Sequence, residues 1–290
     1  MLCYYYPPLL DVGCKRSVAF SKYFKKYGWI PYILTVKNPD KTYCVIGSEK
    51  PPKGIKPVYT YSIINLYGFL GKVNGLWSRI LKIFGVQFRG NPFYDIFCIP
   101  DVLFGWIPLT LIKGAKIVRR QNVNAIYASC PPFSTGVIAT ILKWLTNKFL
   151  IVDFRDAYAL EIPFLRYGPG RRVFRKKINL CIERSILKKA DLVVVTTEEM
   201  RSAYLEKYGE KIGNLATVHN GFEVSELERL TDIAKYSKFT IIYGGNPYLH
   251  TVDSNRFFES LELLKEKGNI DQSIFQFVYF GDWWRNIKSI

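Results

Sequence analysis

Short apolar runs and longer amphipathic stretches take turns along most of this chain, and that alternation limits the fold more than any other feature. Residues 2–6, 30–36, 124–129, 149–154, 191–196 and 215–219 are bounded by polar or turn residues and rich in β-branched and aromatic side chains, the pattern of buried strands. Helical spacing recurs near 15–27, 105–120, 134–145, 171–189 and 198–208. Strand and helix in regular alternation predict an α/β fold with a parallel sheet covered on both faces. Ser134 and Thr135, and Thr196 and Thr197 ahead of Glu198 and Glu199, place capping oxygens and acids where two of these helices begin.

At 290 residues with 49% apolar content, the chain can bury a large core, which excludes a disordered chain. Six widely separated cysteines without a CxxC pair, and only His219 and His250, give poor material for a zinc site or a disulfide framework. The thiols point to a reducing cytosol. Residues 2–6 meet Pro7 and Pro8 too soon to form a secretory leader. The apolar stretch 91–112 is broken by Asp95, Asp101 and several prolines, so no membrane span is expected there.

The formal charge of +17 is unevenly spread. From Tyr236 onward six Lys or Arg face six Asp or Glu, so the excess belongs to the first 235 residues. Such an excess suits an acidic partner, whether nucleic acid, an anionic membrane surface or a phosphorylated substrate, without choosing among them. No nucleic-acid motif accompanies the charge, so that partner is not expected.

In a sheet of this kind ligands bind beyond the carboxyl ends of the strands. After residues 2–6 comes Pro7-Pro8-Leu9-Leu10-Asp11-Val12-Gly13-Cys14-Lys15-Arg16, where a helix beginning near Gly13 would aim free amides at a phosphate beside Lys15 and Arg16; an ordinary turn glycine reads equally well. After 149–154 comes Asp153-Phe154-Arg155-Asp156, whose acids could move protons and whose arginine could grip a phosphate, or which could form a local ion pair. His219-Asn220-Gly221 is first of all turn chemistry. Near 66–90 a basic helix carries Phe69, Leu70, Val73, Leu76, Trp77, Ile80, Leu81 and Phe84 on one stripe, with Lys72, Arg79 and Lys82 elsewhere. It reads as a helix that lies in a bilayer interface or as one that packs on a core. The basic stretch 171–189 reads as a solvated face that also attracts anionic lipid.

Together these segments resemble the acceptor-side half of family 4 glycosyltransferases of the GT-B fold. The resemblance runs in order through Tyr5-Tyr6-Pro7-Pro8 with Gly13 to Arg16, Gly28-Trp29-Ile30-Pro31, Pro100-Asp101, Gly105-Trp106-Ile107-Pro108, Ser129-Cys130-Pro131-Pro132-Phe133, Val152-Asp153-Phe154-Arg155-Asp156, Ile182-Glu183, Thr196-Thr197-Glu198-Glu199-Met200 and His219-Asn220-Gly221-Phe222. It implies two Rossmann-like domains, the first binding an acceptor and the second a nucleotide-sugar. Residues 1–237 would form the acceptor-side domain, with the basic helical insertion near 66–90, and 238–290 a truncated start of the donor domain. Gly13, Lys15 and Arg16 would approach the donor diphosphate, and Gly244 and Gly245, in Ile241-Ile242-Tyr243-Gly244-Gly245-Asn246, would belong to the donor domain's glycine loop. Arg155 and Asp156 stand where many relatives carry a histidine and an acid, which implies positioning of phosphate or acceptor by Arg155 and orientation by Asp156.

The activity implied is transfer of a sugar to a lipid-linked or cell-surface polysaccharide acceptor at the cytoplasmic face of the membrane. Neither a metal nor another cofactor is expected, and a separate chain could supply the donor half. The competing reading is a non-catalytic module that docks on membranes or glycans, or one component of a split enzyme.

Overall fold

The computed structural model describes residues 1–41, 44–83, 97–160, 173–209, 212–224, 228, 234–244 and 254–280. The chain divides into two compact units between Gly221 and Phe222, so that residues 222–224, 228 and 234–237, expected in the first domain, go with the second unit.

The first unit is a parallel sheet with helices on both faces, as the alternation predicts. Its helices are α1 (Val12–Phe24), α2 (Leu66–Ile83), α3 (Ile107–Arg120), α4 (Phe133–Thr146), α5 (Val173–Lys189) and α6 (Glu198–Tyr208). Its strands are β1 (Leu34–Val36), β2 (Val58–Thr60), β3 (Ala125–Cys130), β4 (Phe149–Phe154), β5 (Leu192–Val195) and β6 (Asn214–Thr217). β3, β4, β5 and β6 pair in that order, with Ala125 opposite Phe149 and Cys130 opposite Phe154, and β1 pairs with β2.

The expected strand at 2–6 shrinks to one bridging residue that joins these two pieces. Leu2 bridges Leu34 on one side and Ala128 on the other, through Leu2 N to Tyr127 O (2.7 Å), Ser129 N to Leu2 O (3.1 Å) and Cys3 N to Leu34 O (3.0 Å). The sheet therefore runs β2, β1, the Leu2 segment, β3, β4, β5, β6. Its direction of winding reverses between the Leu2 segment and β3, which is the topological switch point of a doubly wound sheet.

Side-chain alternation assigns the faces. On one, α1 packs Phe20 and Phe24 edge-on against Tyr127, over a core of Cys3, Tyr6, Ile33 and Ile55. On the other, Phe133 of α4 meets Phe154, and Tyr204 of α6 lies 5.9 Å from the same ring. Trp106, fully buried, meets Tyr4 edge-on and donates to Thr60 Oγ1 (2.7 Å), tying the start of α3 to β2.

Helix starts follow capping chemistry, with one change from expectation. Thr197 Oγ1 accepts from Met200 N, as its position before Glu198 predicts. At α4, Ser134 is not the acceptor: its N and Oγ both donate to the carboxylate of Asp101, 33 residues earlier (2.7 Å each). A half-buried acid from another segment thus meets the positive end of α4.

α2 leaves most of its apolar stripe uncovered among the described residues. Leu70 is buried, whereas Phe69, Leu76, Trp77, Ile80 and Ile83 are exposed. Phe84 lies outside the described residues, as do Arg171 and Arg172.

The second unit contains β7 (Phe239–Gly244), α7 (Ser254–Glu266) and β8 (Phe275–Phe280). The strands are parallel, with Phe239 opposite Phe275 and Gly244 opposite Phe280, and Phe257 and Phe258 of α7 pack on Phe277. Gly245 and Gly281 lie outside the described residues.

Candidate functional site

The carboxyl ends of the Leu2 segment, β3, β4 and β5 surround the switch point, and two arginines from the sequence reading stand there in opposite circumstances. Arg16, on α1, is buried and faces inward. Its Nε and Nη2 donate to the two oxygens of Asp153 (2.8 and 2.9 Å), and its Nη1 donates to His219 O (3.0 Å) and Asn220 Oδ1 (3.4 Å). Asp153, fully buried on β4, also accepts from the hydroxyl of Tyr127. Burial by itself would lower the pKa of Arg16, but the hydrogen bond and charge of Asp153 outweigh it and hold the guanidinium charged. Burial, then the Asp153 charge, raises Tyr127 well above a free tyrosine, so it remains a donor. Arg16 is therefore committed within the fold, and the acids flanking Arg155 do not form a local pair with it: Asp153 reaches across 137 residues instead.

Arg155, the residue after β4, is half-buried and belongs to the crevice. Its backbone N donates to Cys130 O (2.8 Å), its Nη2 donates to Pro131 O, and its guanidinium carbon lies 5.7 Å from the Tyr5 ring centroid. Its Nε is buried and makes no hydrogen bond among the described residues. The guanidinium is held against the backbone of Gly13, where an added Cβ would stand 2.0 Å from Nη1. Any side chain at position 13 would displace Arg155, a reason for glycine there independent of turn geometry.

The start of α1 is already satisfied internally. Asp11 Oδ1 accepts from Gly13 N (2.6 Å) and Asp11 O from Cys14 N (2.9 Å). The expected role of the Gly13 amide toward a diphosphate is thus filled by Asp11, and the cation beside it is Arg155. Lys15 is exposed on α1.

Asp156 is exposed next to Arg155. Desolvation by the surrounding strand ends raises its pKa, against the lowering effect of Arg155. Thr196 Oγ1 donates to Arg155 O (3.1 Å), and Thr196 O accepts from Nδ1 of His219 (2.9 Å), which fixes that ring's proton on Nδ1. Burial pushes the Cys14 thiol up to about 12 and raises Cys130 further, so neither offers a thiolate at neutral pH.

Behind this edge, Glu183 of α5 is a buried hub. Its carboxylate accepts from Ala159 N (2.8 Å), Tyr204 OH (3.0 Å) and Tyr208 OH (2.5 Å), fixing the segment that follows Arg155 and Asp156 to α5 and α6. In the sequence, Glu183 is legible only as part of the quoted Ile182-Glu183 pair.

Gly13, Arg155 and Asp156 thus converge at the switch point, Arg16 lies beneath it, and Gly244 ends β7 in the second unit. Among the described residues no group of three or more His, Cys, Asp or Glu is placed to hold a metal ion, and no helix is long and apolar enough to cross a membrane.

The chain matches no protein-family profile, and no curated protein resembles it in sequence. Among solved structures it is similar to sucrose-phosphate synthase from Thermosynechococcus elongatus, at 13% identity over 92% of this chain and 64% of that one, with a TM-score of 0.48. It is similar to Anabaena HepE, determined in complex with UDP, at 12% identity over 96% of this chain and 68% of that one, TM-score 0.46. It is also similar to UGT2 of Phytolacca americana, determined with UDP-2-fluoroglucose and pterostilbene, at 8% identity over 96% of this chain and 70% of that one, TM-score 0.49. The chain spans about two thirds of the length of these proteins. Likeness of this grade says nothing of activity.

Proposed function

We propose that this chain is the acceptor-side part of a glycosyltransferase that uses a nucleotide-activated sugar and works on a lipid-linked or cell-surface polysaccharide acceptor at the cytoplasmic face of a membrane. The observation that carries this reading is Arg155 at the switch point, a half-exposed crevice cation seated on the bare backbone of Gly13. In the reaction an acceptor hydroxyl oxygen attacks the anomeric carbon, the bond from that carbon to the diphosphate oxygen breaks, and the hydroxyl proton passes to solvent or to a carboxylate. Negative charge gathers on the leaving nucleoside diphosphate, and a guanidinium fixed beforehand stabilises it without reorganisation. Asp156, exposed beside Arg155, orients the acceptor hydroxyl by accepting its hydrogen bond.

Arg16 serves this site indirectly. Its buried pair with Asp153 clamps α1 to β4 and holds Gly13 and Arg155 in register. α2, with Leu76, Trp77 and Ile80 exposed and Lys72, Arg79 and Lys82 on the same helix, supports contact with an anionic membrane surface.

The test is release of nucleoside diphosphate from UDP- or GDP-sugars, with membrane extract as acceptor. Release that depends on both donor and extract, and that falls at least about a hundredfold in Arg155→Ala, supports the proposal. Equal release by the wild type and the variant contradicts it.

A further inference from the structure

At the opposite end of the same sheet, where the strands begin, the first unit holds a hollow of about 430 Å³. Phe24, Trp29, Tyr32, Ile117, Val118 and Leu142 are among the residues that line it. Ligand pockets are on the order of 300–1,000 Å³. The segment from Gly28 to Tyr32 separates it from a second, shallower hollow that adds Lys25, Lys56 and Ile55 to the lining. The ridge between them is oily and open: Tyr27 is 79% exposed, Trp29 52% and Ile30 78%.

Charge in the segments that line the two hollows has one sign. The stretches that supply most of their lining, 24–34, 54–56 and 114–127, contain six Lys or Arg and no Asp or Glu. Lys25 is fixed there by donating to Gly54 O (2.9 Å), and Lys56 is exposed.

We infer that this end of the sheet is a lipid site. One acyl chain of an anionic phospholipid occupies the apolar hollow, its headgroup lies against Lys25 and Lys56, and Tyr27, Trp29 and Ile30 sit at the level of the bilayer interface. Apolar exposure ringed by like charge marks a surface completed by an amphiphile of the opposite charge. An amphipathic ring such as that of Trp29 or Tyr27 gains most where one side is oily and the other wet. An acidic protein partner would satisfy the lysines, but it would leave the apolar hollow across the ridge from them unfilled.

The site goes beyond the transfer reading and needs no donor, so the two stand or fall separately. The experiment uses the whole chain without nucleotide, mixed with phosphatidylcholine vesicles with or without phosphatidylglycerol, and with bromine on the acyl chains to quench tryptophan. Expected are binding only to phosphatidylglycerol vesicles, quenching that drops in Trp29→Phe, and affinity lowered at least about tenfold by Ile30→Asp and several-fold by Lys56→Glu. Both of the last two side chains are exposed, so neither change disturbs the core. Absence of vesicle binding, or binding that survives Ile30→Asp and is lost in Leu76→Asp on α2, would overturn the inference. So would equal competition by soluble glycerol phosphate, since it has no chain to fill the hollow.

Discussion

The two ends of the first unit's sheet share their strands and little else. At the carboxyl end, charges sit among polar partners: Asp153 with Arg16 and Tyr127, Asp101 with Ser134, Asp11 with Gly13, and Arg155 with one donor to spare. At the amino end, the hollow beneath Trp29 and Ile30 is lined mainly by apolar side chains, and the charges stand around it as lysines. A parallel sheet imposes this division. Helices after the strands present amide nitrogens toward one edge, which attracts acids and anions, whereas their C-terminal carbonyls face the other edge, where the field favours cations.

Within the carboxyl end, the contrast between Arg16 and Arg155 separates structure from chemistry. Removing Asp153 in Asp153→Ala strands a buried guanidinium, and unfolding by denaturant is expected to show a loss of about 3–5 kcal/mol. A loss under about 1 kcal/mol would mean that Arg16 reaches water and that the clamp is not one. Glu183→Gln keeps the shape but weakens the bonds from Tyr204, Tyr208 and Ala159. It should cost about 2–3 kcal/mol by the same measurement and should release the segment around Ala159 to faster amide exchange.

Gly13→Ala sharpens the comparison from the other side. The new methyl cannot coexist with Arg155 in its present place, so nucleotide affinity should fall about tenfold while the unfolding midpoint moves little. Thr197→Ala removes the cap of α6 while leaving the bond from Thr196 to Arg155 in place, and should cost about 1 kcal/mol with a smaller change in affinity than Gly13→Ala.

The smallest effect expected is on acid stability. Desolvation would raise the pKa of Asp191, but the hydrogen bond from Lys143, the donor at Leu150 N and the Lys143 charge outweigh it, and the pKa lies below 3.8. A depressed acid contributes stability above its unfolded value and loses it as pH falls toward the folded one. Asp191→Asn should therefore flatten the decline in unfolding midpoint below about pH 4 and leave its slope at higher pH unchanged.

Much of this was legible in the sequence, and the rest was hidden for physical reasons. β4 and α6 fall where local pattern places them, because each element carries a full period of apolar residues between clear stops. β2 leaves no mark in the sequence, since three residues beside Pro57 show no alternation. Residues 2–6 are as apolar as a strand, yet Pro7 and Pro8 cut them short and only Leu2 bridges its neighbours. Arg155 and Gly13 both stand out in the sequence, but their contact does not, nor does the inward turn of Arg16, because a pair 137 residues apart leaves no local trace. The amino-end hollow left none either, being assembled from segments whose residues look like ordinary turns and helix ends.

The central claim is that the guanidinium of Arg155 grips an anion at the switch point. Calorimetric titration of the whole chain with UDP and GDP, wild type beside Arg155→Ala, tests it most directly. The account predicts binding of at least one nucleotide by the wild type, weakened about tenfold or more in the variant, with the unfolding midpoints alike. Equal affinities for the two proteins, or no binding by the wild type, would contradict it.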